Sequence, residues 1–177
     1  MKTFCGFLIM CTSINLFSQS GKTIVNNEWN LLDDSTYSIS YPKTWTMDTS
    51  GENGTKFYLF SPFLSENDHF KENVNLLIQD MEGFQITLDE YAEFTIDDIK
   101  NNVLNSTIIE STRKNAHGYE FHKMVYNGEI RNNNITFFQY YYIKTNKVYL
   151  LTFTTETSQY SRYLPVCERI MDSFILK

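Results

Sequence analysis

The sequence predicts an α+β domain in which an antiparallel β-sheet is sandwiched between helices, and three stretches carry that expectation. From Tyr119 to Thr155 three strand-like segments follow one another across short polar turns, with aromatic or β-branched residues on both faces. A sheet that is apolar on both faces needs cover on both sides. Two segments have the 3.6-residue periodicity to supply it, one beginning at Thr87 and the other at Ser158.

At 177 residues, with 42% apolar and 16% aromatic residues, the chain can build one sizeable core but not two comfortable domains. Its formal net charge is -6, and the acids are scattered. With no lysine or arginine stripe to neutralise phosphates, the pattern argues against nucleic acid and anionic membrane surfaces as partners.

The N-terminus reads as a secretory signal, with Lys2, an apolar run from Phe4 to Phe17 broken by Ser13 and Asn15, and small polar residues from Ser18 to Ser20. The run falls short of the roughly 20 apolar residues that span a bilayer. Cleavage is expected after Ser18 or Ser20. This gives a signal peptide at 1–20, a short polar leader at 21–27 and a single domain at 28–177, periplasmic or extracellular. Leu8-Ile-Met-Cys11 is a poor lipoprotein signal, because Met10 suits it badly and Cys11 sits inside the apolar run. Cys5 and Cys11 leave with the signal, so Cys167 remains alone and no internal disulfide can form. It reads as a small buried hydrophobe on a helix.

Along the domain, Trp29 to Asp33 is expected as a brief edge strand. Tyr37, Ile39 and Tyr41 alternate with Ser38 and Ser40 in a half-buried strand that Pro42 ends. Trp45 and Met47 resume an alternating face, with Trp45 as a core anchor. The cluster Asp48 to Thr55 is a loop, Phe57 to Phe60 a strand, Phe63 to Asn73 a polar loop, and Val74 to about Met81 a strand. Thr87-Leu-Asp-Glu90 is a capping box, flanked by the staple pair Ile86 and Tyr91. Leu88, Ala92, Ile96, Ile99 and Val103 then lay one stripe along a helix to about Leu104. Thr107 to Ser111 reads as a strand and Asn115 to Gly118 as a turn. Strands follow at Tyr119 to Ile130, Ile135 to Ile143 and Val148 to Thr155. The last helical segment lies within Ser158 to about Ser173, where Pro165 either kinks a longer helix or opens a shorter one as its first residue; the second is the expectation.

For chemistry, Asp68 and His69 with Glu66 and Glu72 put metal-type ligands on one loop, without the spacing of a calcium loop or a second histidine for zinc. A solvated polar loop is the ordinary reading of them and outweighs a metal site. His122 lies on a strand, where a cross-strand partner is the ordinary role. No Gly-x-Ser-x-Gly elbow occurs. In Phe137-Phe-Gln-Tyr-Tyr-Tyr142, alternation sends Phe137 and Tyr141 to one face and Phe138, Tyr140 and Tyr142 to the other. If exposed, Tyr140, Tyr141 and Tyr142 would suit a carbohydrate, peptide or protein surface. If buried, they are core. Together with Asp68 and His69 they form the candidate interaction surface.

Four segments fall in the order of a known family. Tyr37-Ser-Ile-Ser-Tyr-Pro-Lys-Thr-Trp45 resembles its opening strand, Asp68-His-Phe-Lys-Glu-Asn-Val-Asn-Leu76 its loop-to-strand segment, Leu88-Asp-Glu-Tyr91 its first helix, and Asp172-Ser-Phe174 its last. Over residues 28–177 the chain is similar to the PsbP-like family, named for an extrinsic subunit of photosystem II and including bacterial secreted relatives. The resemblance implies an antiparallel sheet between helices (an α/β/α sandwich). Plant members of that family assist the oxygen-evolving centre and are linked to calcium and manganese, which enter here through the resemblance alone. Gln19 beside the expected cut resembles signal peptides of Bacteroidetes-type bacteria, which argues against a photosystem role.

The expected function is therefore that of a secreted or periplasmic, non-enzymatic accessory domain that binds an envelope protein, with no cofactor assigned. The alternative is a small-ligand carrier with a pocket between sheet and helix. An envelope enzyme comes third, and would need His122 within hydrogen-bond reach of a carboxylate.

Overall fold

The computed structural model describes residues 28–177, so the expected signal peptide, leader, Cys5 and Cys11 lie outside the described residues. In chain order the strands are β1 (Trp29–Asp33), β2 (Tyr37–Pro42), β3 (Thr46–Asp48), β4 (Thr55–Phe60) and β5 (Asn73–Asp80). Helix α1 (Leu88–Asn102) leads into β6 (Leu104–Ala116), β7 (Tyr119–Ile130), β8 (Asn133–Lys144) and β9 (Lys147–Glu156). Helix α2 (Tyr160–Asp172) and β10 (Ile175–Leu176) end the chain.

Seven strands form one antiparallel sheet in the order β3-β4-β5-β9-β8-β7-β6, and β1-β2-β10 form a small second sheet. Residues opposed across a ladder share a face, so the register sorts the meander into two sets. Phe121, Phe138, Tyr140, Tyr142, Leu151 and Phe153 face α2 and the small sheet, packing with Cys167, Ile170, Tyr37 and Ile39. Met124, Tyr126, Tyr141 and Val148 face α1, against Leu88, Tyr91 and Ile99. The sheet therefore lies between helices, with the small sheet as extra cover on the α2 side.

Helix α1 starts on its capping box: the Glu90 amide donates to Thr87 Oγ1 at 3.2 Å and the Thr87 amide to Glu90 Oε2 at 2.8 Å. Those bonds, the backbone one first, hold the Glu90 carboxyl below its ordinary pKa. At its far end, a Cβ added to Gly128 would lie 2.2 Å from Val103 Cγ1, so only glycine lets the helix exit pass so close to β7.

Four expectations change. Pro165 lies inside α2, not in its first turn. It and Ser161, whose carbonyl it leaves without a helical partner, are both exposed, so water can satisfy that group. The strand expected at Thr107 to Ser111 runs the full length of β6. It sits at the sheet edge, where backbone pairing to β7 suffices without an apolar alternation, and two bulges absorb its irregular register. Met47 is 40% exposed on edge strand β3 while Trp45 is buried, because the chain turns into a new strand between them. Strand β10, paired to β2, was absent from the expected elements; two residues are too few to show a period.

Candidate functional site

The segment from Ser61 to Glu72, which takes in most of the loop expected from Phe63 to Asn73, is a tied structure at one end of the large sheet. Its base is closed by the Ser61 amide donating to the Glu72 carbonyl at 2.8 Å. The Ser61 hydroxyl donates to Glu72 Oε2 at 3.1 Å, and Thr155 Oγ1 reaches Oε1 at 3.4 Å. Glu72 is 1% exposed. Among the described residues it has no basic partner, so these hydroxyls must offset the cost of burying a carboxylate.

Asp68 ties the tip. Its Oδ2 accepts the Leu64 amide at 2.7 Å and its Oδ1 the Phe70 amide at 3.1 Å, bonds that hold its carboxyl below the usual carboxylate range. The loop thereby holds Phe63 and Leu64 out at 52% and 40% exposure, with Lys71 Nζ 4.6 Å over the Phe63 ring. His69 is exposed beside them. The inner side of the loop borders a groove of about 630 Å³ completed by Asn133, Gln159 and Arg162. An asparagine-rich trough of about 580 Å³ adjoins it through Asn133 and Glu156. Sequence reasoning found Asp68 and His69 but missed Phe63 and Leu64, because the surrounding polarity masked two apolar residues at the tip.

The candidate tyrosines lie elsewhere and inside. Tyr140, Tyr141 and Tyr142 are all buried, which corrects their expectation as a surface. Tyr140 packs at a tilt against Phe121, centroids 4.5 Å apart, and its hydroxyl donates to Asp172 Oδ1 at 2.7 Å. Tyr142 packs on Phe174. Tyr141 points the other way, under Tyr91, with its hydroxyl donating to Gln139 Oε1. Both faces of β8 are covered from Phe138 to Tyr142, and half-buried Phe137 stacks on Tyr126, so every ring of the run has something to pack against.

His122 is buried under the α1 face. Its Nε2 meets the Ser111 hydroxyl at 2.8 Å, and Nδ1 has no partner among the described residues. Desolvation pushes its pKa down; Asp89 opposes that shift and Arg113 reinforces it. The hydrogen-bond partner is the Ser111 hydroxyl, and not a carboxylate. Between α1 and the sheet lies a space of about 210 Å³, lined by Gln79, Tyr91, Phe94, Tyr126 and Tyr141 among others. Cys167 is fully buried, and burial pushes its thiol well up, so it is unreactive packing.

With the element order and loop in place, comparison with known proteins becomes decisive: the PsbP family profile matches residues 32–176. The chain belongs to the PsbP family. Among solved structures it is similar to the cyanobacterial PsbP of Synechocystis sp. PCC 6803, with 16% identity, a TM-score of 0.62, and coverage of 92% of this chain and 99% of that one. It is also similar to LpqN, involved in cell envelope biogenesis of Mycobacterium tuberculosis, with 10% identity, a TM-score of 0.64, and coverage of 84% and 90%. PA94 of Pseudomonas aeruginosa, a protein of unknown function, gives 11% identity, a TM-score of 0.62, and coverage of 85% and 98%. At these identities the likeness is one of fold. No curated protein sequence matches the chain.

The calcium or manganese implied by the PsbP resemblance does not fit these side chains. Both Asp68 oxygens are taken by backbone amides, and Glu72 is turned inward to Ser61 and Thr155. Among the described residues no three His, Cys, Asp or Glu side chains gather within reach of one ion. Nor, among the described residues, is any helix long and apolar enough to cross a membrane.

Proposed function

We propose that this chain is a secreted, non-enzymatic accessory domain that binds another envelope protein through the Ser61–Glu72 loop. The observation that carries the reading is a loop fixed by Asp68 and Glu72 that holds two apolar side chains in water. Fixing the loop in advance removes the entropy that a flexible contact would lose on binding. Apolar residues at a rigid tip beside a polar groove match the centre and rim of a protein interface. Periplasmic or extracellular placement, through a signal peptide at 1–20, belongs to this reading, and LpqN's involvement in envelope biogenesis is in keeping with it.

The test is photo-crosslinking from a benzophenone amino acid at Phe63 in intact cells. One discrete adduct is expected, its yield reduced by Leu64→Ser and by Asp68→Ala, which frees the tip. Diffuse labelling, or an adduct indifferent to both substitutions, would refute the reading.

The carrier alternative has one observation in its favour, the space between α1 and the sheet. At about 210 Å³ it is below the roughly 300 Å³ at which ligand pockets ordinarily begin. It would suit only a ligand of a few atoms.

A further inference from the structure

Helix α1 packs over β6, β7 and β8 and reaches Val148 and Leu150 of β9 and Gln79 of β5, leaving β4 and the Asn73, Asn75 and Thr154 end of the same face outside its cover. The ladder register orders that open part into two rows. One runs from Tyr58 through Asn75 to Thr152, and the other from Phe60 through Asn73 and Thr154 to Phe137. Each row opens on an aromatic ring, then crosses an amide and a hydroxyl, and the second closes on another ring.

The Tyr58 and Phe60 rings are nearly parallel, 9° apart in plane with centroids 5.3 Å apart. Phe137 stacks on Tyr126 at 4.8 Å and 19°. From β4 to β8 is three strand spacings, about 14 Å. Tyr58 and Phe60 are half-buried and belong to neither core cluster, so the interior does not account for them. The amides between the ring pairs are only lightly engaged: Asn75 Nδ2 donates to Asn73 Oδ1 at 3.3 Å, and Asn73 Nδ2 to the Lys71 carbonyl at 3.4 Å; the Thr152 hydroxyl is buried and accepts from Gln139 Nε2 at 3.2 Å, so of the two hydroxyls it is Thr154 that faces outward. Continued onto edge strand β3, the first row ends on Asp48, whose Oδ1 accepts the Ser50 amide at 2.7 Å, and the second on Thr46; between β4 and β8 neither row contains a charged residue.

This mixture selects its ligand by chemistry. Ring faces receive the C–H side of a pyranose, while amides and hydroxyls can both donate to and accept from its hydroxyl groups. An uncharged floor offers nothing to a phosphate or an anionic lipid. A protein partner would call for a more apolar centre than asparagine and threonine provide. We infer that this face binds an uncharged glycan laid across β4, β5, β9 and β8, a site separate from the Ser61–Glu72 loop.

Affinity electrophoresis in gels containing dextran, a soluble β-1,3-glucan, xylan or mannan, with polygalacturonate as the charged control, tests it. At least one neutral polymer is expected to retard the protein. Tyr58→Ala and Phe60→Ala should each weaken that binding about tenfold, the scale of one good interface anchor. Tyr58→Phe keeps the ring and should keep the binding; Asn75→Ala, with both rings intact, should weaken it. Cooperative thermal melting of each variant separates loss of binding from loss of fold. Unchanged migration in all four neutral gels, retardation by polygalacturonate alone, or retardation that survives the double alanine variant would overturn the inference.

Discussion

The two faces of the large sheet use similar side chains for different ends. On the α2 side, Phe121, Phe138, Tyr140 and Tyr142 interlock with Phe174 and Tyr37 beneath a helix and a second sheet, and the cover reaches all four rings. On the α1 side a single helix covers part of the width. There Tyr141, Tyr126 and Tyr91 share space with Gln139 and His122, and a gap remains beneath the helix. Adjacent residues of β8 experience both conditions, since Tyr140 and Tyr142 enter the first and Tyr141 the second. The difference teaches that complete cover makes an aromatic run structural, whereas incomplete cover leaves the neighbouring strands free to present rings and amides to a ligand.

The largest effect is expected on the fully covered face. Trp45 is 6% exposed and meets Tyr163 edge-on, so Trp45→Ala should destabilise by about 3–5 kcal/mol in chemical denaturation. A negligible change in midpoint would show that this face tolerates loss as readily as the other. On the α1 face the tightest point is the contact between Gly128 and Val103. Gly128→Ala should cost about 1–3 kcal/mol by overpacking, and Val103→Ala in the same chain should recover part of it. A Gly128→Ala protein of unchanged stability would mean that the helix exit shifts freely.

The smallest effect is a pH dependence on the α1 face. His122 has a lowered pKa when folded, so just below the ordinary histidine value of about 6.5 the unfolded chain binds more protons than the folded one. Stability should therefore fall as pH drops from about 6.5 toward 5. His122→Gln should flatten that slope. Carboxyls with lowered values, Asp68 and Glu90 among them, contribute only at more acid pH. An equal slope in the variant would assign the dependence elsewhere.

Local patterns determined a good deal of this architecture. The capping box fixed the start of α1, Pro42 the end of β2, and doubled apolar faces the central meander, because each depends on residues near in sequence. The family was likewise readable from four short segments in order. Tertiary packing decided the rest. Whether Tyr140 to Tyr142 were core or surface depended on what covered β8, which no pattern within β8 can state. The loop's exposed tip depended on Asp68 and Glu72 finding amides and hydroxyls two to eighty-three positions away. The open Tyr58 and Phe60 face exists because one helix is narrower than seven strands, a quantity set by the assembled sheet and written in no single stretch of the chain.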